Sequence, residues 1–598
     1  MFDSVTGGYL MAKKRLIIVG AVAAGASAAA KARRMNEKIE IVLFESGSYM
    51  SFANCGLPYY VGGEIANRDS LFVAKPDIFK KRFNIDLRLN TKVTAVSPES
   101  REVTFVGPDG KERHLSYDRL ILATGTVPIV PPIPGLDGPN IFLCRTVSDV
   151  DAIMERLNDL LPRDMEGIRR MDEGPLHDLD ATGIHALIIG AGYIGLECAE
   201  QLMHRGINTT VVEAMPQIMG PLDREMTQPV VKAMTDSGAE VIVSDAVDRI
   251  EQEEDRSVAV LKSGRRVIFD IGIIGTGVRP NVELAGSIGL KLGETGAILV
   301  DEYQRSSIST IYAAGDNSES TFLPTGTQVN IPLAGPANKQ GRIAGNNAAL
   351  ELLEQDADKD QPWLRMKGVL GTSIARVCGV VAGGTGLSEK LAKRLGVNVK
   401  AAYSIGQNHA GYYPGAQLMI VKVVYSAEDG RLLGAQAVGQ EGVDKRLDVF
   451  ATAIVGKMTV EDLENLDLCY APPFGSAKDI AVMSGFITAN ARRGLSDGIS
   501  PMRLFEELKG DVPPTVIDVR DKREYRDGHL DTAINIPLDD LRERLHEVPQ
   551  NTPVVVHCQA GYRSYVAQQI LQNHGWTNVR NLYGGYAFAS RVLSMDTM

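Results

Sequence analysis

The stretch "RLIIVGAVAAGASAAAKARR", residues 15–34, decides the fold. Its first five residues read as a buried strand, a small-residue turn follows, and an Ala-rich helix completes it. Gly20 and Gly25 hold the first and last places of a GxGxxG pattern, with Val22 in the middle place. The next strand, "IEIVLFE", ends at Glu45, 25 residues after Gly20. Such a turn lets a pyrophosphate approach the helix N-terminus, while the acid accepts hydrogen bonds from ribose hydroxyls. Preceded by Lys13 and Lys14, the same letters also spell a basic head and an apolar core, as in a secretory signal. A signal predicts neither the second strand nor the acid, so a dinucleotide cradle is expected.

The pattern recurs intact. "HALIIGAGYIGLECAEQL", residues 185–202, supplies Gly190, Gly192 and Gly195, and the strand "NTTVVEA" carries Glu213. An acid at that place favours NADH by repelling a 2′-phosphate, while the neighbouring His204 and Arg205 leave NADPH open. Two cradles in one chain imply two cofactors, or a cofactor and a co-substrate.

The totals set outer limits. The chain has 598 residues, enough for three to five domains at roughly 100–200 residues each. A net charge of −11 argues against a nucleic-acid partner, which needs a basic surface. Six cysteines in this length do not form a disulfide framework and fit a reducing cytoplasm. Beyond the first cradle, no run approaches the roughly 20 apolar residues of a membrane helix. No Cys/His cluster has metal-ligand spacing, so no metal is expected. Residues 1–10 precede a second Met11 and read as an upstream extension without function. The charged stretch at 162–183 reads as a surface insertion.

Three further segments complete a pattern. "YDRLILATGTVP" contains Ala123, Thr124 and Gly125; "FDIGIIGTGVRPN" contains Gly277; "STIYAAGDNSE" contains Gly315 and Asp316. With the two cradles, these make the chain resemble the two-dinucleotide-domain flavoprotein disulfide reductases over about residues 11–490. The resemblance implies FAD in the first cradle and NAD(P)H in the second, with Asp316 reaching the flavin's ribityl chain.

In that family a redox cysteine follows the first acidic strand end. Cys55, in "SFANCGLPYY", stands ten residues after Glu45 and has no nearby cysteine to pair with. A solitary cysteine can store two electrons only as a mixed disulfide, a persulfide or a sulfenic acid. The box resembles the coenzyme A-disulfide reductases, where one cysteine pairs with the coenzyme A thiol. NADH peroxidases and oxidases carry a similar box, but with a histidine in the first glycine turn, where this chain has Ala23. Without that proton donor, thiol chemistry is favoured over peroxide chemistry. By the same resemblance Ser27, Lys31, Arg34, Ser51 and Asn54 fall at coenzyme A-contacting places, and Lys478 joins them. The basic residues Lys31, Arg33 and Arg34, with Lys80, Lys81 and Arg82, offer the cations that a 3′-phosphate and a pyrophosphate need.

Downstream, "NHAGYYPGA" and "LCYAPPFGSAKD" present Tyr412 and Tyr470. They match tyrosines that, in the resembled family, reach the active sulfur from the partner subunit, where a phenol can protonate a leaving thiolate. A homodimer is therefore expected.

After a polar linker at 490–501 the pattern changes. "TPVVVHCQAGYRSYVAQQIL" runs a β-branched strand into Cys558, then Gln559, Ala560, Gly561, Tyr562 and Arg563, then a helix. Strand, cysteine, short loop and helix aim successive backbone N–H groups at one point, a nest for an anionic sulfur. Cysteine phosphatases use a longer loop; this one is sized for sulfur. Together with "DVR", "GHL" and "AINIP", it makes residues 501–598 resemble a rhodanese domain, in which Asp518, Arg520 and His529 are structural, and His557 reads as strand packing. Cys144, Cys198 and Cys378 read as small core residues.

The expected fold class is α/β: two Rossmann-like dinucleotide-binding domains for FAD and NAD, an α+β dimerisation domain and a C-terminal α/β rhodanese domain. Expected bounds are 11–150 and 301–350 for the FAD domain, 151–300 for the NAD(P)H domain, 363–490 for the dimerisation domain and 501–598 for the rhodanese domain. The expected function is reduction of small persulfides or polysulfides, such as coenzyme A persulfide, by a cytoplasmic homodimer using NADH, FAD and coenzyme A. Coenzyme A-disulfide reduction and NADH oxidase or peroxidase activity are the alternatives.

Overall fold

The computed structural model describes residues 13–161, 182–253, 256–353 and 363–593. The upstream extension and all but the last two residues of the charged insertion lie outside these. The chain divides into two compact units, residues 1–170 with 273–369, and residues 171–272 with 370–598.

The first unit is built on a parallel sheet with strand order Ile311–Ala313, Arg119–Leu122, Arg15–Val19, Glu40–Phe44, Asp86–Arg88. Leu16, Ile17 and Ile18 are fully buried, because the sheet is covered on both faces. On one face the helix Ala23–Met35 lies against the helix Ala334–Glu351. That contact needs small residues: a Cβ at Gly341 would stand 2.1 Å from the Ala24 carbonyl oxygen, and one at Gly345 2.2 Å from that of Ala28. The other face is closed partly by Ala285, Leu290 and Ile298. These residues, expected in the NAD(P)H domain, instead complete the core of the first unit, which the chain re-enters at residue 273 and not at 301. The strand Val278–Pro280 seals the return by pairing with Thr126–Pro128.

In the second unit, the strands His185–Ile189, Asn208–Glu213 and Glu240–Val243 run parallel in the second cradle. A five-stranded antiparallel sheet follows, ordered Ser373–Val377, Val380–Gly386, Leu432–Gly439, Leu418–Ser426, Val399–Gln407. The helices Val443–Val455 and Ile480–Arg492 contribute their apolar stripes to its core. Its most buried charge is Lys422, whose Nζ lies 2.8 Å from Asp223, 2.6 Å from Glu225 and 2.6 Å from Glu389. This trio of acids encloses an ammonium group and ties the helix Arg224–Asp236 to the sheet. Burial lowers the Lys422 pKa, but Tyr403, Glu225, Asp223 and Glu389 together hold it well above the usual lysine value.

The tail forms a parallel sheet ordered Gly498–Ile499, Val579–Leu582, Val554–His557, Thr515–Asp518, Ala533–Asn535. Its first strand lies inside the expected linker, so the sheet begins before residue 501. The residues leading to it are also bonded: Ser496 donates to Gln568 at 2.6 Å, and Gln568 and Gln569 donate to the carbonyls of Asp497 and Leu495 at 2.8 and 2.7 Å. At the far end of the tail, the ring of Phe588 packs 5.5 Å from that of Tyr403 in the antiparallel sheet, and Tyr583 lies 6.1 Å from the same ring.

Candidate functional site

The two cradles share one geometry. Gly20 and Gly190 both have φ of +101°, and each donates its N–H at 2.8 Å to the next strand. A Cβ at Gly25 would fall 1.7 Å from the Gly20 carbonyl oxygen, and one at Gly195 2.1 Å from that of Gly190. The close approach brings each helix N-terminus onto its turn, and neither helix carries a side-chain cap. Both acids are held alike: Glu45 accepts from the N–H of Ala21 and Gly47, and Glu213 from those of Ala191 and Met215, all at 2.8 Å. Open helix ends, glycine clearance and a fixed carboxylate are what a dinucleotide's pyrophosphate and ribose require.

In the first unit, Thr124 donates to the Asn281 carbonyl at 2.7 Å, and Asn317 donates to the Thr124 hydroxyl at 3.0 Å. The buried Oδ1 of Asn317 has no donor, an acceptor left for a ligand. Gly125 and Gly315, both at positive φ, turn the chain around this point, and Ala123 abuts Gly20. Burial pushes the Asp316 carboxyl above its usual range, opposed by Arg145. Arg145 also donates to the Thr126 hydroxyl at 2.9 Å. It is a cation at the first cradle's margin that sequence reasoning did not single out. Gly277 is the left-handed residue whose carbonyl accepts from Ile129 at 2.9 Å, fixing the pairing that closes the return.

Cys55 sits at the surface in the 3-10 turn Asn54–Gly56, which runs into the helix Leu57–Gly62. Asn54 donates to the Arg145 carbonyl at 3.2 Å, and Ser51, at φ of +44°, takes the Ala21 carbonyl at 2.9 Å. These two bonds anchor the cysteine's turn to the first cradle. None of the six cysteines is joined to another in a disulfide.

The expected coenzyme A residues divide. Ser27 donates to Asn338 at 2.6 Å, and Lys31 donates to the Met35 sulfur at 3.0 Å. Burial, Arg342 and Arg34 all lower the Lys31 pKa, so Arg342 adds a cation that sequence reading did not find. Arg33 is corrected: it is buried, and its guanidinium donates to the carbonyls of Phe83, Asn36, Glu37, Ile39 and Asn84 at 2.8–3.1 Å. It caps chain ends inside the fold and offers no charge to a ligand. Lys80, Lys81 and Arg82 remain exposed on the helix Pro76–Phe83.

In the second unit, the hydroxyls of Tyr412 and Tyr470 meet at 3.1 Å although the residues are 76 % and 49 % exposed. Phe474 and Tyr413 lie exposed in the same two loops, as do Cys469 and Lys478. The hydrogen bond to Tyr470 raises the Tyr412 pKa.

In the tail, Cys558 ends its strand almost fully buried. Its sulfur accepts from the Gly561 N–H at 3.1 Å and from the Ser564 hydroxyl at 3.5 Å. Gln559 is steadied by Arg520 at 3.2 Å, while Ala560 completes the turn and Tyr562 is open to solvent. Arg563 forms a two-pronged pair with Glu524, both contacts 2.7 Å. Arg520 in turn is paired with Asp518 and lies 4.1 Å over the Tyr586 ring, the structural role expected of both charged residues. His529 stacks on Tyr525. His557 is fully buried with its Nε2 3.7 Å from Asp518, and burial lowers its pKa.

The family model for pyridine nucleotide-disulphide oxidoreductases matches residues 14–341, their dimerisation domain 373–481, and the rhodanese-like domain 502–588. The chain belongs to the pyridine nucleotide-disulphide oxidoreductases. Within that family it is 36 % identical to the NAD(P)H sulfur oxidoreductase (CoA-dependent) of Pyrococcus furiosus, over 78 % of this chain and 98 % of that one. The fold matches the reduced CoADR-RHD protein of Bacillus anthracis with a TM-score of 0.88 at 38 % identity, covering 98 % and 99 % of the two chains. It matches a NAD-dependent persulfide reductase of A. fulgidus with a TM-score of 0.85 at 36 % identity, covering 96 % and 99 %. Both matches span the rhodanese tail as well as the oxidoreductase part. No helix among the described residues is long and apolar enough to cross a membrane.

Proposed function

We propose that this oxidoreductase uses NAD(P)H to reduce small persulfides and polysulfides, coenzyme A persulfide among them, and that its rhodanese tail supplies the sulfane sulfur. The observation that carries the reading is one chain with a surface cysteine whose turn is bonded to a dinucleotide cradle and a second cysteine whose sulfur accepts from a loop N–H and a hydroxyl. The close likeness to a CoA-dependent sulfur oxidoreductase supports it.

FAD fits the first cradle, held by Gly20, Gly25, Glu45, Thr124, Gly315 and Asp316; NADH fits the second, held by Gly190, Gly192, Gly195 and Glu213. A flavin bound there would supply two electrons drawn from NAD(P)H. Cys55 attacks coenzyme A persulfide as a thiolate, forming a mixed disulfide and releasing hydrosulfide. Two electrons then return Cys55 to its thiolate and free the coenzyme A thiolate. Per turnover, one persulfide, one NADH and one proton give one thiol, one hydrogen sulfide and one NAD. Ser27, Lys31, Arg34, Ser51 and Asn54 hold the coenzyme A, joined by Lys478. Tyr412 and Tyr470, which we assign to the neighbouring protomer's site in a homodimer, donate to the leaving sulfur. Cys558 takes sulfane sulfur and passes it to a coenzyme A thiol or to Cys55. Cytoplasmic placement follows from the need for reduced thiols.

The deciding experiment compares NADH consumption with coenzyme A persulfide, coenzyme A disulfide and hydrogen peroxide. Persulfide should turn over fastest, and Cys55→Ser should abolish turnover on both sulfur substrates. Unimpaired persulfide reduction by Cys55→Ser, or peroxide as the best substrate, rejects the reading.

A further inference from the structure

We propose that Glu524 is a positioning residue that selects the sulfur donor at the tail by cancelling the charge of Arg563. The inference rests on the reading of Cys558 as a sulfane-sulfur carrier. A loop of backbone N–H groups with an arginine at its end would draw in dianions. Here that arginine is already matched. Glu524 accepts from Arg563 through both oxygens, each at 2.7 Å, and one oxygen also takes the Asp521 N–H at 3.2 Å. That third bond closes a capping box at the start of the helix Lys522–Arg526, so the carboxylate is fixed from its own element. The second guanidinium beside the loop, Arg520, is matched as well. It donates to Asp518 at 2.7 Å, to the Gly528 carbonyl at 2.7 Å and to Gln559 at 3.2 Å.

With both cations paired, the sulfur is held by Gly561 and Ser564 and by what Glu524 leaves of the Arg563 charge, which bonds Glu524 more strongly than Cys558. N–H and O–H dipoles hold one anionic sulfur well but do not offset the second charge of a dianion. The loop is therefore matched to monoanionic donors of the persulfide class and disfavours thiosulfate. Either donor balances. A persulfide anion gives its terminal sulfur to the Cys558 thiolate and leaves as a thiolate; thiosulfate gives its outer sulfur and leaves as sulfite. Only the charge to be accommodated on approach differs.

The test measures initial rates of persulfide formation on the Cys558 peptide by mass spectrometry, with cysteine persulfide or thiosulfate as donor. Glu524→Gln keeps the shape and an acceptor oxygen but frees the Arg563 charge. The thiosulfate-to-persulfide rate ratio should rise about five-fold or more, since a dianion gains twice what a monoanion gains. Glu524→Asp keeps the charge, and its ratio should stay near wild type. An unchanged ratio in Glu524→Gln, or equal shifts in both variants, overturns the proposal. Wild-type protein gives an independent check that needs no variant: thiosulfate loading should not fall as salt rises, and a steep fall would expose an unmatched cation and overturn the inference. If wild type loads no sulfur from either donor, it is the carrier reading of Cys558 that fails, a distinct outcome.

Discussion

Replacing Lys422 by methionine isolates the buried charge cluster. The substitution keeps an unbranched apolar stem and removes only the ammonium. Three carboxylates within 2.8 Å of that nitrogen then lose their common cation, and two of them, Asp223 and Glu225, are buried. Asp223 keeps its other bonds, from the N–H groups of Glu389 and Lys390 at 3.1 and 3.0 Å and from Gln436 at 2.6 Å. Those bonds do not repay two anions facing each other in a dry site. Breaking a buried pair from one side costs about 3–5 kcal/mol. The pH dependence should also reverse. In the native protein Lys422 holds the Asp223 pKa below its usual value, so this stability is present above pH 3.8 and is lost as pH falls through the lowered value. Without the lysine, burial raises the carboxyl pKa; the folded state then binds the extra proton, and stability rises as pH falls from neutral. Hydrogen exchange of amides in Arg224–Asp236 and Leu418–Ser426 reads the local cost. Thermal midpoints between pH 7 and 5 read the slope. A loss below about 1 kcal/mol, the size of a surface pair, refutes the reasoning. So does a midpoint that fails to rise, relative to that of the native protein, on acidification.

Two other outcomes are expected. Gly195→Ala places a methyl 2.1 Å from the Gly190 carbonyl oxygen, so helix and turn must part by about 1 Å; overpacking of about 1–3 kcal/mol should raise the NADH dissociation constant about ten-fold or more while flavin content, read by visible absorption, stays at the wild-type level. His557, kept neutral by burial, should cost the tail up to about 1.4 kcal/mol per pH unit below 6.5, because only the unfolded chain takes the proton; thermal melts should show that slope flattened in His557→Gln.

The cradles were legible because their chemistry is local: a glycine that must clear a carbonyl, and an acid at the next strand's end, stand at fixed spacings. The loop of Cys558 was legible for the same reason. Features that depend on a partner remote in sequence were not. Arg33 reads as one more basic residue on a helix, and only the fold reveals the five carbonyls that claim it. Arg145 and Arg342 carry no motif and become notable only through what surrounds them. Residues 282–298 have no periodic signal tying them to strands more than 200 positions upstream, so the chain's early return to the first unit was invisible. Arg563 stands in the loop signature, but its partner Glu524, 39 residues away, looks like an ordinary surface charge until the loop closes.

A module that ferries cargo by swinging needs slack in its tether. From Leu495 to Ile499 the chain into the tail has none: its carbonyls and hydroxyl are bonded to the helix Tyr562–Asn573, and its last two residues are a strand of the sheet. Phe588 and Tyr583 moor the opposite end on Tyr403. Lengthening the connection would therefore win no higher local concentration of one sulfur at another, since that gain belongs to flexible linkers. A tail fixed in this way would pass its sulfur on from one station and not by a swing.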